Sequence, residues 1–184
     1  GNPLFEALAH YERARVLQAR GEVLRAQDEV HQGLLLVQRL PTQRSYSVRA
    51  RLTLYQGYLL SLRLDARAAE HLRAGIAEAR ACRDVGVLIG YCVLACLEGR
   101  EERPAEAFAL LGEAERLMHV WDVPAIYYLA MITLIKCELW LRQGQVELAA
   151  AWLPQLAETY GDQGRALAPE FPPQLAMHID LQHA

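Results

Sequence analysis

Apolar residues recur along this chain at spacings of three and four, and small residues hold fixed places in that pattern. Four segments begin with alanine, carry an apolar residue four positions later, and carry a small or apolar residue three positions after that. Positions i, i+4 and i+7 share one face of an α-helix, so each segment predicts an amphipathic helix. The four segments are Ala26/Val30/Gly33, Ala68/Leu72/Gly75, Ala107/Leu111/Ala114 and Ala149/Leu153/Leu156.

The leading alanines are spaced 42, 39 and 42 residues apart, which indicates an internal repeat. Each predicted helix follows another helix after a short turn. Gly21 and Gly144 both stand five residues before a leading alanine, where a helix end needs a left-handed residue. Pro104 suits the first turn of its helix, and Pro41 and Pro124 separate successive repeats. The predicted helices are 4–20, 22–39, 45–62, 66–81, 86–100, 104–119, 125–142 and 146–159.

No segment alternates apolar and polar residues as a strand does, so the predicted fold is all-α. The period lies in the range of HEAT and armadillo repeats, but the small-apolar-small signature favours lengthened tetratricopeptide pairs. We therefore expect a superhelical array of about four tetratricopeptide-like helix pairs over residues 1–171, plus the start of a fifth. The predicted repeats span about 3–41, 44–82, 85–120 and 124–160, and 172–184 is the first helix of a truncated further repeat in a longer protein.

Composition narrows the class of protein. The net charge is −3 and the isoelectric point about 6.1, so we expect no general attraction to nucleic acid or anionic membranes. The apolar stretches are too short to span a bilayer, so no membrane association is expected. The four cysteines lie in apolar helical patterns without a CxxC pair, which predicts reduced thiols in a cytoplasmic protein.

The sequence contains few patterns typical of catalytic or metal-binding sites. Cys92 and Cys96 have the i, i+4 spacing of two zinc ligands but lack a partner of ligand type, which favours buried structural thiols. The six histidines form no HxxxH, and no GxSxG occurs. We therefore expect no enzyme activity, no metal and no cofactor in this fragment.

The expected function is binding in a groove. In stacked helix pairs the first helices line the concave face, so their side chains outside the core can contact a ligand. A groove mixing arginine, glutamine, tyrosine and glutamate can hydrogen-bond a polar ligand or a peptide. The candidate ligand-binding residues are Tyr11, Arg15, Gln18, Arg51, Tyr58, Ser61, Arg100, Glu138 and Arg142, with Cys92 and Cys96 beside them.

Three stretches carry a family resemblance. "YERARVLQARGEVLRA" (Tyr11–Ala26), "AAEHLRAGIAEAR" (Ala68–Arg80) and "CELWLRQGQVELAAAWL" (Cys137–Leu153) resemble the sensor repeats of MalT-type transcriptional activators. These proteins are the large ATP-binding regulators of the LuxR family. The tail Leu167–Ala184 resembles the link into the next repeat of that family.

The resemblance implies a ligand- or protein-sensing domain of a bacterial transcriptional regulator, which controls a nucleotide switch and a DNA-binding domain located elsewhere. Its partners would be a small-molecule inducer or a regulatory protein on the concave face, and the other domains of the regulator. No GxxxxGK[ST] loop and no basic recognition helix occur, so direct ATP or DNA contact is not expected here. The apolar face of 172–184 could support self-association. The alternative is a tetratricopeptide adaptor that binds a peptide or partner protein.

Overall fold

Eight α-helices make up most of the part of the chain that the computed structural model describes, residues 1–41 and 46–160. No strand occurs within these ranges, so the all-α prediction is confirmed there. Every helix end lies within two residues of its predicted place, whereas the predicted helix at 172–184 lies outside the described residues. The helices are α1 (Pro3–Ala19), α2 (Val23–Gln38), α3 (Ser47–Leu62), α4 (Ala68–Cys82), α5 (Val87–Arg100), α6 (Pro104–Val120), α7 (Ala125–Arg142) and α8 (Val146–Tyr160).

The chain divides into two compact units, residues 1–93 and 94–184. In the first unit α1 packs on α2, α3 packs on α4, and both α1 and α2 contact α3. In the second unit α7 packs on α8 and α6 packs on α7. Among the described helices, none is both long and apolar enough to cross a membrane.

The repeated small residues face the interior. The four leading alanines, Ala26, Ala68, Ala107 and Ala149, are each at most 1% exposed. Ala26 and Val30 of the first repeated segment belong to the hydrophobic core of the first unit. This core contains the buried residues Ala7, Tyr11, Ala14, Ala26, Val30, Val37, Leu52, Tyr55 and Leu59. The helical face predicted from the spacing is therefore the face that packs.

Helices α3 and α4 approach each other closely at two glycines. A Cβ atom added to Gly57 would lie 2.9 Å from the backbone nitrogen of Leu72, and one added to Gly75 would lie 2.8 Å from that of Leu54. Both distances are shorter than van der Waals contact, and a backbone atom cannot move aside as a flexible side chain does. The crossing therefore requires glycine at both positions.

Six of the turns between helices share one hydrogen-bond pattern, in which an N–H beyond the helix end donates to a carbonyl oxygen five residues earlier. This pattern is the Schellman motif. The donors and acceptors are Glu22–Leu17 (2.9 Å), Asp65–Leu60 (3.1 Å), Asp84–Ala79 (2.8 Å), Arg103–Glu98 (2.9 Å), Val123–Met118 (2.9 Å) and Gln145–Trp140 (2.9 Å).

The residue before each donor has a left-handed backbone, as the motif requires. Gly21 and Gly144 take this position with φ of 79° and 73°, which confirms their predicted role. The other four turns place Leu64, Arg83, Glu102 and Asp122 there, with φ of 55°, 54°, 58° and 53°. A side chain with a Cβ atom costs about 1 kcal/mol in this conformation, so these four turns hold a small strain that glycine would avoid.

We expect Gly144→Ala to lower the free energy of unfolding by about 1 kcal/mol, because alanine disfavours a positive φ. Gly112→Ala is the matched control, since it lies exposed within α6. An added Cβ atom meets nothing within 4 Å at either glycine, so only backbone conformation differs. The control should raise stability by about 0.5–1 kcal/mol, because alanine favours a helix interior. Urea unfolding of the two variants measures both changes, and a shift of the same sign in both would contradict the assignment of the turn.

Candidate functional site

Three predicted groove residues, Tyr11, Gln18 and Tyr58, meet in one cluster of the first unit. The ring of Tyr55 lies edge-on to Tyr11 at 5.5 Å between centroids and 5.6 Å from Tyr58. The Tyr55 hydroxyl donates to Gln18 Oε1 at 3.4 Å, and the Gln18 amide nitrogen donates to the Tyr58 hydroxyl at 3.5 Å. The structure therefore brings together polar groups that are 40 residues apart in the chain.

Most of this cluster is enclosed. Gln18 is 0% exposed, and Tyr11 and Tyr55 are also buried. Loss of hydration raises the pKa of Tyr58 to about 12 and raises the pKa of Tyr55 as well. The phenols therefore stay protonated at neutral pH and serve as hydrogen-bonding groups of the interior.

The open edge of the cluster is formed by Arg15 and the half-buried Tyr58. The guanidinium carbon of Arg15 lies 5.8 Å from the centroid of the Tyr11 ring, a cation–π contact, and Nη1 pairs with Glu12 at 3.0 Å. Ser61 is buried, and its hydroxyl donates to the Tyr58 carbonyl oxygen within α3 at 2.7 Å. Of the predicted residues on α1 and on the C-terminal half of α3, Arg15 and Tyr58 are the ones a ligand could reach without opening the core.

Arg51 forms an ion pair that was not predicted from the sequence. Its Nε donates to Asp84 Oδ2 at 2.9 Å, and the Asp84 side chain is only 3% exposed. Asp84 also accepts hydrogen bonds from the Ser47 hydroxyl and from the Gly86 backbone N–H. This buried carboxylate joins the α4–α5 turn to α3, so Arg51 has a structural partner in the first unit.

Arg100 and Arg142 line an open cavity of about 430 Å³ in the second unit, and we call it the Arg100/Arg142 groove. Arg100 is the last residue of α5 and Arg142 is the last residue of α7. The remaining lining residues are Gly99, Glu102, Pro104, Leu139 and Gln143. A Cβ atom at Gly99 would lie 2.5 Å from Leu139 Cδ2, so the Leu139 side chain packs against the backbone of Gly99.

The charges beside this groove are unequally paired. Glu138 accepts from Arg142 Nε at 3.1 Å and from Nη2 at 2.7 Å, and both side chains are about half exposed. Arg100 is exposed and forms no ion pair with a carboxylate among residues 1–41 and 46–160. The pairing of Glu138 with Arg142 has a local signal in the sequence, because residues four apart on a helix are neighbours.

The pKa of the Cys96 thiol is affected by the charges of Arg100, Glu138 and Arg142. Loss of hydration, with a smaller contribution from Glu138, raises the pKa of Cys96 to about 12, and Arg100 and Arg142 oppose the rise. These three charged groups are therefore all near one thiol. Of the two cysteines with zinc-like spacing, Cys92 is 0% exposed and Cys96 is partly buried. Within the described ranges, no three His, Cys, Asp or Glu side chains come together as a metal site.

An aromatic ladder in the second unit was also not predicted. The ring centroids of Phe108 and Trp140 are 5.9 Å apart, and Trp152 stacks on Trp140 at 6.4 Å. The three rings come from α6, α7 and α8, so the ladder stabilises the packing of these helices.

Comparison with known proteins gives no relative. No family model matches the chain, and no curated protein or solved structure is detectably similar to it.

We expect Arg51→Ala to lower the free energy of unfolding by about 1–3 kcal/mol, because it leaves the buried Asp84 carboxylate without its cation. Arg67→Ala is the control, since Arg67 pairs with Asp65 at the surface of the same unit and should matter much less. Thermal and urea unfolding compare the two variants. Equal stability of Arg51→Ala and the parent protein would refute a structural role for Arg51.

We expect the thiols of the folded protein to react slowly with dithionitrobenzoate at about pH 8. Burial raises the pKa of Cys82, Cys96 and Cys137, so the reactive thiolate fraction is small, and Cys92 is inaccessible. Unfolding in guanidinium should release all four thiols for fast reaction. Rapid labelling of Cys96 in the folded protein would contradict the described environment.

Proposed function

We propose that this chain is a superhelical tetratricopeptide-like array that senses a ligand or regulatory protein for a transcriptional regulator of MalT type. The observation that carries the proposal is the repetition of one unit of structure: a buried leading alanine preceded by a left-handed, hydrogen-bonded turn. Ala26, Ala68, Ala107 and Ala149 are all buried, and each follows such a turn by four or five residues. Repeats of this kind stack on their neighbours and expose an extended surface for binding.

The chemistry of the candidate residues supports binding in preference to catalysis. The Arg100/Arg142 groove offers guanidinium groups, a carboxylate and an amide, which are recognition groups. A nucleophile would need a neighbouring base and a group that orients the base. Cys96 beside the groove has a raised pKa, which opposes such a role.

The regulatory context rests on the resemblance of three stretches of the chain to MalT-type sensor repeats. Under this proposal, ATP binding and DNA binding belong to other domains of the full-length protein. Stacked repeats contact only their neighbours, so small rotations add up along an array. A ligand that bridges two repeats favours one curvature and shifts the population towards the state in which the regulator is active.

The full-length gene product provides the test. We expect its sequence to contain a phosphate-binding GxxxxGK[ST] loop and a helix-turn-helix domain outside the present 184 residues. Deleting the codons for residues 1–160 should abolish the inducer response of a promoter reporter while leaving ATP binding by the remaining protein intact. A gene product without either domain would refute the regulator and leave an adaptor for a peptide or partner protein.

A further inference from the structure

The two arginines of the second unit occupy the same place in successive repeats. Arg100 and Arg142 each stand seven residues before a leading alanine, Ala107 and Ala149, and each ends the first helix of its pair. Both side chains line one cavity. Equivalent positions of two successive repeats therefore place two guanidinium groups in a single groove.

We propose that the Arg100/Arg142 groove binds the carboxylate or phosphate group of a small organic anion. The inference rests on the proposed function, because it names the class of ligand that the array senses. A guanidinium group presents planar, paired N–H donors that match the oxygens of a carboxylate or phosphate.

The present partners of the arginines leave them available to an anion. Arg100 has no carboxylate partner among the described residues, and it is exposed and lines the groove. Arg142 is held by Glu138 at 2.7 Å, but that pair is half exposed. Exposed pairs contribute little stability in water, so a ligand oxyanion can compete with Glu138 for Arg142 at small cost.

The remaining lining residues limit the size and charge of the ligand. Leu139 and Pro104 supply apolar surface, and the Gln143 amide supplies a further donor or acceptor. A cavity of about 430 Å³ is in the range of small-molecule sites. The whole chain carries a net charge of −3, which opposes the binding of a nucleic acid or other extended polyanion outside the groove.

Binding is tested on the 184-residue chain with inorganic phosphate and with succinate as separate probes, at constant ionic strength set with sodium chloride. Nitrogen-15 NMR of the arginine Nε–H groups follows the titration. We expect saturable, millimolar or tighter binding of at least one probe, with shifts at Arg100 and Arg142. Binding of phosphate alone identifies a phosphate ligand, and binding of succinate alone identifies a carboxylate ligand.

Three substitutions test the residues. Arg100→Gln and Arg142→Gln should each weaken binding about tenfold or more, because each removes charged hydrogen bonds to the anion. Glu138→Gln should tighten binding a few-fold, because it removes the carboxylate that competes for Arg142. The matched control is Arg116→Gln, an exposed arginine of the same unit paired with Glu113, which should bind as the parent protein does.

The outcomes separate this inference from the proposed function. Absence of saturable binding, or equal binding by the parent protein, Arg100→Gln and Arg142→Gln, overturns the anion site. Thermal melts confirm folding of each variant, and Arg100→Gln alone decides the matter if Arg142→Gln does not fold. If the anion binds but leaves promoter activity of the full-length protein unchanged, the anion site stands and the sensing role fails. If the inducer response persists in full-length protein lacking both arginines, the sensing role stands and this site fails.

Discussion

The architecture depends on how closely neighbouring helix backbones approach. At the crossing of α3 and α4, Gly57 and Gly75 leave no room for a Cβ atom, and the leading alanines of the four pairs are buried at comparable positions. A short distance between helix axes increases the number of van der Waals contacts per turn of helix, and it fixes the relative position of the two helices in a pair. This packing of the helices determines the positions of the polar side chains on their outer faces.

The same constraint explains how much of the fold could be predicted from sequence. Small residues at fixed spacing define one helical face, so the bounds of the eight helices in the described residues followed from the pattern to within two residues, and Gly21 and Gly144 marked two of the turns. The left-handed backbone at Leu64 and Glu102 could not be predicted in this way, because neither residue type favours it. There the hydrogen bonds of the turn and the packing of the two helices impose the conformation.

The candidate site was predicted only in part. The spacing of residues shows which face of a helix a side chain lies on, but it does not show how deeply that side chain is buried. Arg100 and Arg142 line one groove, and the pairing of Glu138 with Arg142 follows from helical geometry. Gln18, by contrast, is enclosed by tyrosines from α3, and the partner of Arg51 is an aspartate 33 residues away. Contacts between distant segments depend on tertiary packing, for which a single sequence holds no local signal.

Glu102 is the left-handed residue of the α5–α6 turn, and it also lines the Arg100/Arg142 groove. Glycine at this position would relax the backbone but would remove a carboxylate from the lining of the groove. For the proposed anion site, the residue best suited to the turn and the residue best suited to recognition therefore differ at one position. Selection for thermal stability alone would favour glycine in this turn and would change the charge of the groove.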